Sequence, residues 1–140
     1  MEAILIMKKS GRQIAREKAT IGVYQYLLVD SSLENIKSFL ADDKTLMGRK
    51  DLLEFSIWLV DTVLQNKDTY QNEIEKYLKK EWSFDRLSVM ERAILLIATC
   101  ELLESDVPKN IIINEAVINA KEFCDEDSYK FINGVLSKVI

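Results

Sequence analysis

Basic side chains recur at helical spacing near the start of the chain. Lys8, Arg12 and Arg16 stand four residues apart, and Lys9 adds a second lysine before the first arginine. On a helix, Arg12 and Arg16 would project from one face about 6 Å apart along the axis, near the step between neighbouring phosphates of a nucleic acid. The spacing indicates a contact with a phosphate backbone, although a solvated basic helix face would give the same pattern.

The charge distribution favours a localised contact with a polyanion. The chain has 140 residues and a net charge of −4. Its first twenty residues hold five basic residues against Glu2 and Glu17, a local net charge of +3, so the other 120 residues carry −7. A basic segment on an acidic body predicts one binding region and not general attraction to nucleic acid.

The residue inventory limits the chemistry available to this chain. It has no histidine, and its two cysteines, Cys100 and Cys124, lack the spacing of metal ligands. A zinc site and a histidine-dependent nucleophilic triad are therefore excluded, and we expect a protein that is not an enzyme and needs no cofactor. Free thiols predict a reduced, cytoplasmic compartment. The apolar run at residues 3–7 is too short for a signal peptide or a membrane span, so we expect no membrane association.

Helices must position these side chains. Ser10-x-x-Gln13 and Ser88-x-x-Glu91 fit capping boxes, and Ser31 with Glu34 suggests a third. Apolar residues then recur at helical spacing, and no segment shows the alternation of a strand. We expect helices over about residues 11–29, 32–41, 50–65, 70–78 and 88–103, followed by two more. They predict an all-α fold of about seven helices in one domain, residues 1–140, with residues 1–9 as a flexible N-terminal arm.

The last third of the chain carries the most specific motifs. Val107–Ala116 reads VPKNIIINEA, Ala120–Phe123 reads AKEF and Asp127–Leu136 reads DSYKFINGVL. In amino-acid sequence these motifs resemble the C-terminal signature of the NusB family of bacterial transcription antitermination factors. Ala15–Tyr24, which reads AREKATIGVY, is similar to a pattern near the family's N-terminus. The resemblance covers about residues 10–138 and implies a NusB-like pair of packed three-helix bundles with an extra helix.

The resemblance also implies a function and a set of site residues. It implies an RNA-binding adaptor that pairs with the ribosomal protein NusE and holds single-stranded boxA RNA of nascent transcripts. The RNA polymerase antitermination complex would then read through terminators, notably in ribosomal RNA operons. The residues that it places at RNA are Lys8, Lys9, Arg12, Arg16, Asp127, Ser128 and Phe131, and those that it places at NusE are Tyr24 and Glu91.

Several of these residues have simpler explanations. Tyr24 fits a half-buried core position, and Glu91 is explained by capping alone. Acidic residues such as Asp127 stabilise a helix N-terminus, and Phe131 fits a core position beside Val135. We expect the adjoining Asn133 and Gly134 to serve close packing between helices.

The chain departs from the family pattern at two positions. Leu96 stands where many relatives carry an arginine, so any contact that relatives make there is absent, and Cys100 stands where the family usually has tyrosine. Two other functions stay open: an RNA-binding domain that acts with a ribosomal RNA methyltransferase, and a helical scaffold that binds proteins through its acidic body. A homodimer that covers the RNA surface is open as well.

Overall fold

The computed structural model describes residues 9–139 and contains seven α-helices within them. These are α1 (Gly11–Val29), α2 (Leu33–Ala41), α3 (Lys50–Gln65), α4 (Lys67–Glu75), α5 (Val89–Glu104), α6 (Lys109–Phe123) and α7 (Ser128–Leu136). A short 3-10 turn, Phe84–Arg86, lies between α4 and α5. No strand occurs in the described range, and the all-α prediction is confirmed. Residues 1–8 lie outside the described residues. They include Lys8 and all of the expected N-terminal arm except Lys9.

Two of the three expected caps form as predicted. The Ser10 hydroxyl accepts from the Gln13 N–H at 3.1 Å, and the Gln13 side chain accepts from the Ser10 N–H at 2.8 Å. Ser88 and Glu91 make the same reciprocal pair at 3.2 and 3.0 Å. Each box satisfies two backbone donors that a helix start leaves open, and so fixes where α1 and α5 begin.

Two other predicted boundaries differ from the structure. The N-cap of α2 is Ser32 and not Ser31, because the Ser32 hydroxyl accepts from the Asn35 N–H at 3.1 Å. The break before α4 falls at Asn66, whose φ of −119° leaves the helical range and whose side chain donates to the Thr62 carbonyl at 2.9 Å. The helix predicted over about residues 70–78 instead spans Lys67–Glu75.

The helices pack as two groups of three. Helices α1, α2 and α3 contact one another, and so do α5, α6 and α7. Both α1 and α3 also pack against α5, which is buried on nearly all sides from Ala93 to Glu101, and α4 adds to the outside of α5. The expected pair of three-helix bundles with an extra helix is confirmed, and α5 is the element that the two bundles share.

Small residues on α1 allow the first bundle to close tightly. A side chain added at Gly22 would place its Cβ 2.7 Å from Ile36 Cγ2 on α2 and 3.4 Å from Val60 Cγ2 on α3. The Ser56 hydroxyl donates to the Ala15 carbonyl at 2.9 Å and ties α3 to α1. This close packing sets the position of α1 against α2 and α3. None of the described helices is long and apolar enough to span a membrane.

Candidate nucleic-acid interface

Lys9 is held against the body of the protein. Its ammonium group forms ion pairs with Glu17 on α1 and with Glu122 near the end of α6, where the Nζ–Oε2 distance is 2.7 Å. Desolvation is the largest single effect on the pKa of Lys9 and by itself would lower it. The hydrogen bonds and charges of the two carboxylates together outweigh desolvation, so the pKa of Lys9 is raised. The contacts connect the start of the first helix to the second bundle.

Arg12 is the exposed member of the arginine pair on α1. Its guanidinium carbon lies 4.0 Å from the centre of the Phe55 ring, and that ring stacks on Trp58 with 6.4 Å between centroids. A guanidinium that stacks through its face keeps its N–H edge directed outward. Arg12 is therefore positioned to meet an anion at the surface of α1 and α3.

Arg16 lies in the interior, against the expectation that both arginines face solvent. It is 7% exposed, and its Nε and Nη2 atoms donate to the two carboxylate oxygens of Glu101 at 2.7 and 3.0 Å. Glu115 on α6 lies 3.6 Å from Nη1. Because Glu101 is 1% exposed, this bidentate pair joins α1, α5 and α6 where the two bundles meet.

Glu91 lies at the centre of a second cluster, at the starts of α5 and α7. Besides closing the Ser88 cap, its Oε2 atom accepts from the Ser128 hydroxyl at 2.8 Å. Glu91, Ser128 and Tyr24 line one surface groove of about 370 Å³. Tyr24 packs against the core, as its half-buried explanation predicted, and also lines this groove. Its contact with NusE stays a prediction.

A larger groove of about 550 Å³ adjoins the first and shares Glu91 and Ser128 with it. Asp127 and Phe131 line it, and Phe131 packs against the core on its other side. Five of the predicted site residues therefore border one continuous surface: Tyr24, Glu91, Asp127, Ser128 and Phe131. Arg12 lies on a separate part of the surface, about 18 Å before Tyr24 along α1.

Sequence reasoning missed several residues of the larger groove. Trp82 and Lys79, from the connection between α4 and α5, line it together with Lys138 after α7. Their spacing has no helical period that could have grouped them, and only the folded structure places the connection and α7 along one groove.

The expectation that Asn133 and Gly134 serve close packing is wrong. Both are exposed, and a Cβ added to Gly134 would meet no atom within 4 Å. Gly134 instead borders the larger groove.

The two thiols are in environments that keep them protonated. Burial raises the pKa of Cys100 to about 12 and that of Cys124 to about 11. A thiol with so high a pKa is a poor nucleophile near neutral pH. Within residues 9–139 no three histidine, cysteine or acidic side chains are grouped as a metal site would require.

Known proteins resemble this chain over most of its length. Residues 13–140 match the profile of the NusB family. Transcription antitermination protein NusB of Staphylococcus epidermidis is 36% identical over 132 residues, covering 90% of this chain and 98% of the relative. The Staphylococcus haemolyticus protein of the same name is 39% identical over 130 residues, covering 91% of this chain and 98% of the relative.

Solved structures agree with the sequence relatives. Thermotoga maritima NusB superposes with a TM-score of 0.80 at 33% identity, covering 95% of this chain and 92% of that one. A structure of the antitermination factors NusB and NusE in complex with dsRNA superposes with a TM-score of 0.76 at 29% identity, covering 92% of this chain and 95% of that one. Together with the two-bundle architecture, these likenesses show that the chain belongs to the NusB family.

Proposed function

We propose that this protein is a transcription antitermination factor, an RNA-binding adaptor that pairs with NusE and holds boxA-type RNA for the RNA polymerase antitermination complex. The observation that carries the proposal is the continuous surface around Glu91, which has Tyr24 at one side and Asp127, Ser128 and Phe131 at the other. A solved relative in complex with NusE and dsRNA supports the same pair of ligands.

The RNA side of the proposal combines two kinds of contact. Arg12, and the two lysines Lys8 and Lys9 before it, would meet phosphates, and Phe131 offers a ring edge or face to an unpaired base. The Asp127 carboxylate and Ser128 hydroxyl can accept hydrogen bonds from base amino groups. Lys9 can meet a phosphate only if its ammonium group leaves Glu17 and Glu122.

Arg16 is buried, and we propose that it supports the RNA-binding surface by fixing where α1 lies. A phosphate contact would require its guanidinium to leave Glu101, and that would leave a buried carboxylate without its partner. We therefore propose that Arg16 fixes α1 against α5 and α6 and thereby holds Arg12 in place. The role in RNA contact inferred from the resemblance stays a prediction, and its test differs from that of the structural role.

The partner side of the proposal rests on Tyr24 and Glu91. Glu91 already accepts from the Ser88 N–H and from the Ser128 hydroxyl, so its carboxylate is held in one orientation at the groove. A preorganised carboxylate beside a half-buried tyrosine suits a basic side chain of a protein partner.

The adaptor is proposed to act without catalysis. Its thiols are protonated near neutral pH, and its proposed contacts are with phosphates, bases and one protein surface. We place its work beside RNA polymerase in the cytoplasm. The two alternatives predict other ligands: an RNA-binding domain that acts with a methyltransferase would not need NusE, and a protein-binding scaffold would not prefer boxA RNA. The following experiments measure both ligands.

Fluorescence anisotropy of labelled RNA tests the RNA side. We expect tighter binding to single-stranded boxA RNA than to a scrambled strand of the same composition, with affinity that falls as salt rises because bound phosphates release counterions. A duplex of the same sequence is the third arm, since the solved relative holds dsRNA. Equal affinity for boxA and scrambled strands would reject sequence-specific RNA binding.

Co-elution with NusE tests the partner side. The double variant Tyr24→Ala, Glu91→Ala should lose the complex. Ser88→Ala controls for weakened capping of α5, because it removes the hydroxyl half of the same capping box while the Ser88 N–H can still donate to the Glu91 carboxylate. Although its hydroxyl borders the same groove, this variant should keep the complex. Co-elution of the double variant at wild-type strength would show that this surface does not face NusE.

A further inference from the structure

We propose that the larger groove, between α7 and the connection from α4 to α5, is a second RNA subsite in which an unpaired base stacks on Trp82 above Gly134. This inference rests on the proposed function, because it extends the RNA path from Phe131 along α7. The resemblance implied no role for Trp82, Gly134, Lys79 or Lys138.

Gly134 gives the first argument. It lies inside α7, and glycine is the least favourable residue other than proline within a helix. No close contact within the described residues requires it, since a Cβ there would meet nothing within 4 Å. Its missing side chain instead leaves the groove open beside Val135, where a flat ring can lie against the helix.

Trp82 gives the second argument. The residue is 49% exposed, although a tryptophan buries more apolar area than almost any other residue when it is covered. Its backbone is fixed by an N–H donated to the Lys79 carbonyl at 2.8 Å, so the ring is carried on an ordered turn. An exposed aromatic ring on a fixed backbone is a stacking platform for bases, and each base stacks without regard to its identity.

The charged side chains of the groove are arranged to suit a strand that runs past Phe131. Three lysines, Lys79, Lys130 and Lys138, and three carboxylates, Glu91, Asp125 and Asp127, line it. Lys138 follows the C-terminal end of α7, opposite the end where Asp127 lies. The carboxylates lie near the start of α7, next to the residues proposed to accept from base amino groups. Lysines along the remaining length would meet the phosphates of a strand that continues past Phe131.

The two tryptophans of the chain, Trp58 and Trp82, make the inference testable by fluorescence. In a Trp58→Phe variant, Trp82 is the single tryptophan. Titration with single-stranded boxA RNA should quench its emission, with the same midpoint as the anisotropy of labelled RNA. Trp82→Ala should weaken RNA binding at least about fivefold, as loss of one base–aromatic stack does.

A steric variant tests the groove without removing an aromatic ring. Gly134→Leu should obstruct the groove beside Val135 and weaken RNA binding at least about fivefold, while α7 stays folded because leucine is a better helix former. Asn133→Leu adds the same side chain to the preceding exposed position, which does not line the groove, and should bind RNA like the wild type. Circular dichroism checks that both variants fold.

The outcomes separate the inference from the proposed function. RNA binding by anisotropy with unchanged Trp82 emission, or with Gly134→Leu binding as tightly as Asn133→Leu, overturns the subsite and leaves the function intact. Quenching of Trp82 by NusE alone, without RNA, shows a protein contact and also overturns it. Absence of RNA binding by the wild type with and without NusE rejects the proposed function, and the inference with it.

Discussion

Replacing Arg16 by alanine should destabilise the protein strongly. The substitution leaves Glu101, which is 1% exposed, without the two hydrogen bonds of 2.7 and 3.0 Å that now satisfy its carboxylate. Glu115, 3.6 Å from the same guanidinium, loses a second favourable interaction. Both carboxylates then face each other's charge at the junction of α1, α5 and α6.

The magnitude follows from the burial of the pair. Removing one partner of a buried ion pair typically costs about 3–5 kcal/mol, because the remaining charge stays desolvated without compensation. For a chain of this length that corresponds to a fall of roughly 10–20 °C in the midpoint of thermal unfolding. An exposed arginine that reached a phosphate would instead contribute less than ~1 kcal/mol to stability.

Urea unfolding of three variants measures this effect. Arg16→Ala should lose about 3–5 kcal/mol of unfolding free energy, and Arg12→Ala, whose exposed guanidinium stacks on Phe55, about 0.5–1 kcal/mol. The double variant Arg16→Met, Glu101→Met should recover most of the loss, since an apolar pair replaces both charges. A loss below ~1 kcal/mol for Arg16→Ala, or a double variant less stable than Arg16→Ala, would refute the structural role. If that small loss came with a smaller salt slope of RNA binding, Arg16 would be a phosphate contact.

Three further variants or treatments have defined outcomes. Arg12→Ala should weaken boxA binding and lower the slope of log affinity against log salt by about 1, and anisotropy across a salt series would contradict this if the slopes agree. Thr99→Val should raise the unfolding free energy by about 1 kcal/mol, because the buried Thr99 hydroxyl has no hydrogen-bond partner within residues 9–139; urea unfolding showing a loss would oppose this. Cys124, with its pKa raised from 9.0 to about 11, should react with iodoacetamide at pH 8 about tenfold more slowly than a free cysteine, because its smaller thiolate fraction is partly offset by a more nucleophilic thiolate. Its rate should rise about tenfold per pH unit until the pH nears that pKa. Peptide mapping by mass spectrometry measures that rate, and a value near that of free cysteine would show that burial does not protect the thiol.

Local patterns predicted much of the fold. The Ser10–Gln13 and Ser88–Glu91 boxes were readable because both partners of each cap lie within three residues of one another. The bounds of α1 and α3 followed from apolar residues at helical spacing. The start of α2 was misplaced because Ser31 and Ser32 are both suitable N-cap residues. Only the observed hydrogen bond from the Asn35 N–H to the Ser32 hydroxyl decides between them.

Contacts between distant residues were beyond such reasoning. The partner of Arg16 is 85 residues away and depends on how α1 packs against α5, so the spacing of arginines on α1 could not reveal burial. Gly134 was expected in a helix contact because small residues often allow one, but α7 presents it to a groove instead. The grouping of Trp82 with Lys138 likewise needed the packed structure.

The affinity for boxA RNA with and without saturating NusE is the most direct test of the adaptor function. Labelled boxA and scrambled RNA are titrated with the wild-type chain in both conditions at one fixed salt concentration. We predict that boxA binds more tightly than the scrambled strand and that NusE increases this preference. By linkage, boxA should raise the affinity for NusE by the same factor by which NusE raises the affinity for boxA. Equal affinities for the two RNAs, unchanged by NusE, would contradict the proposed adaptor.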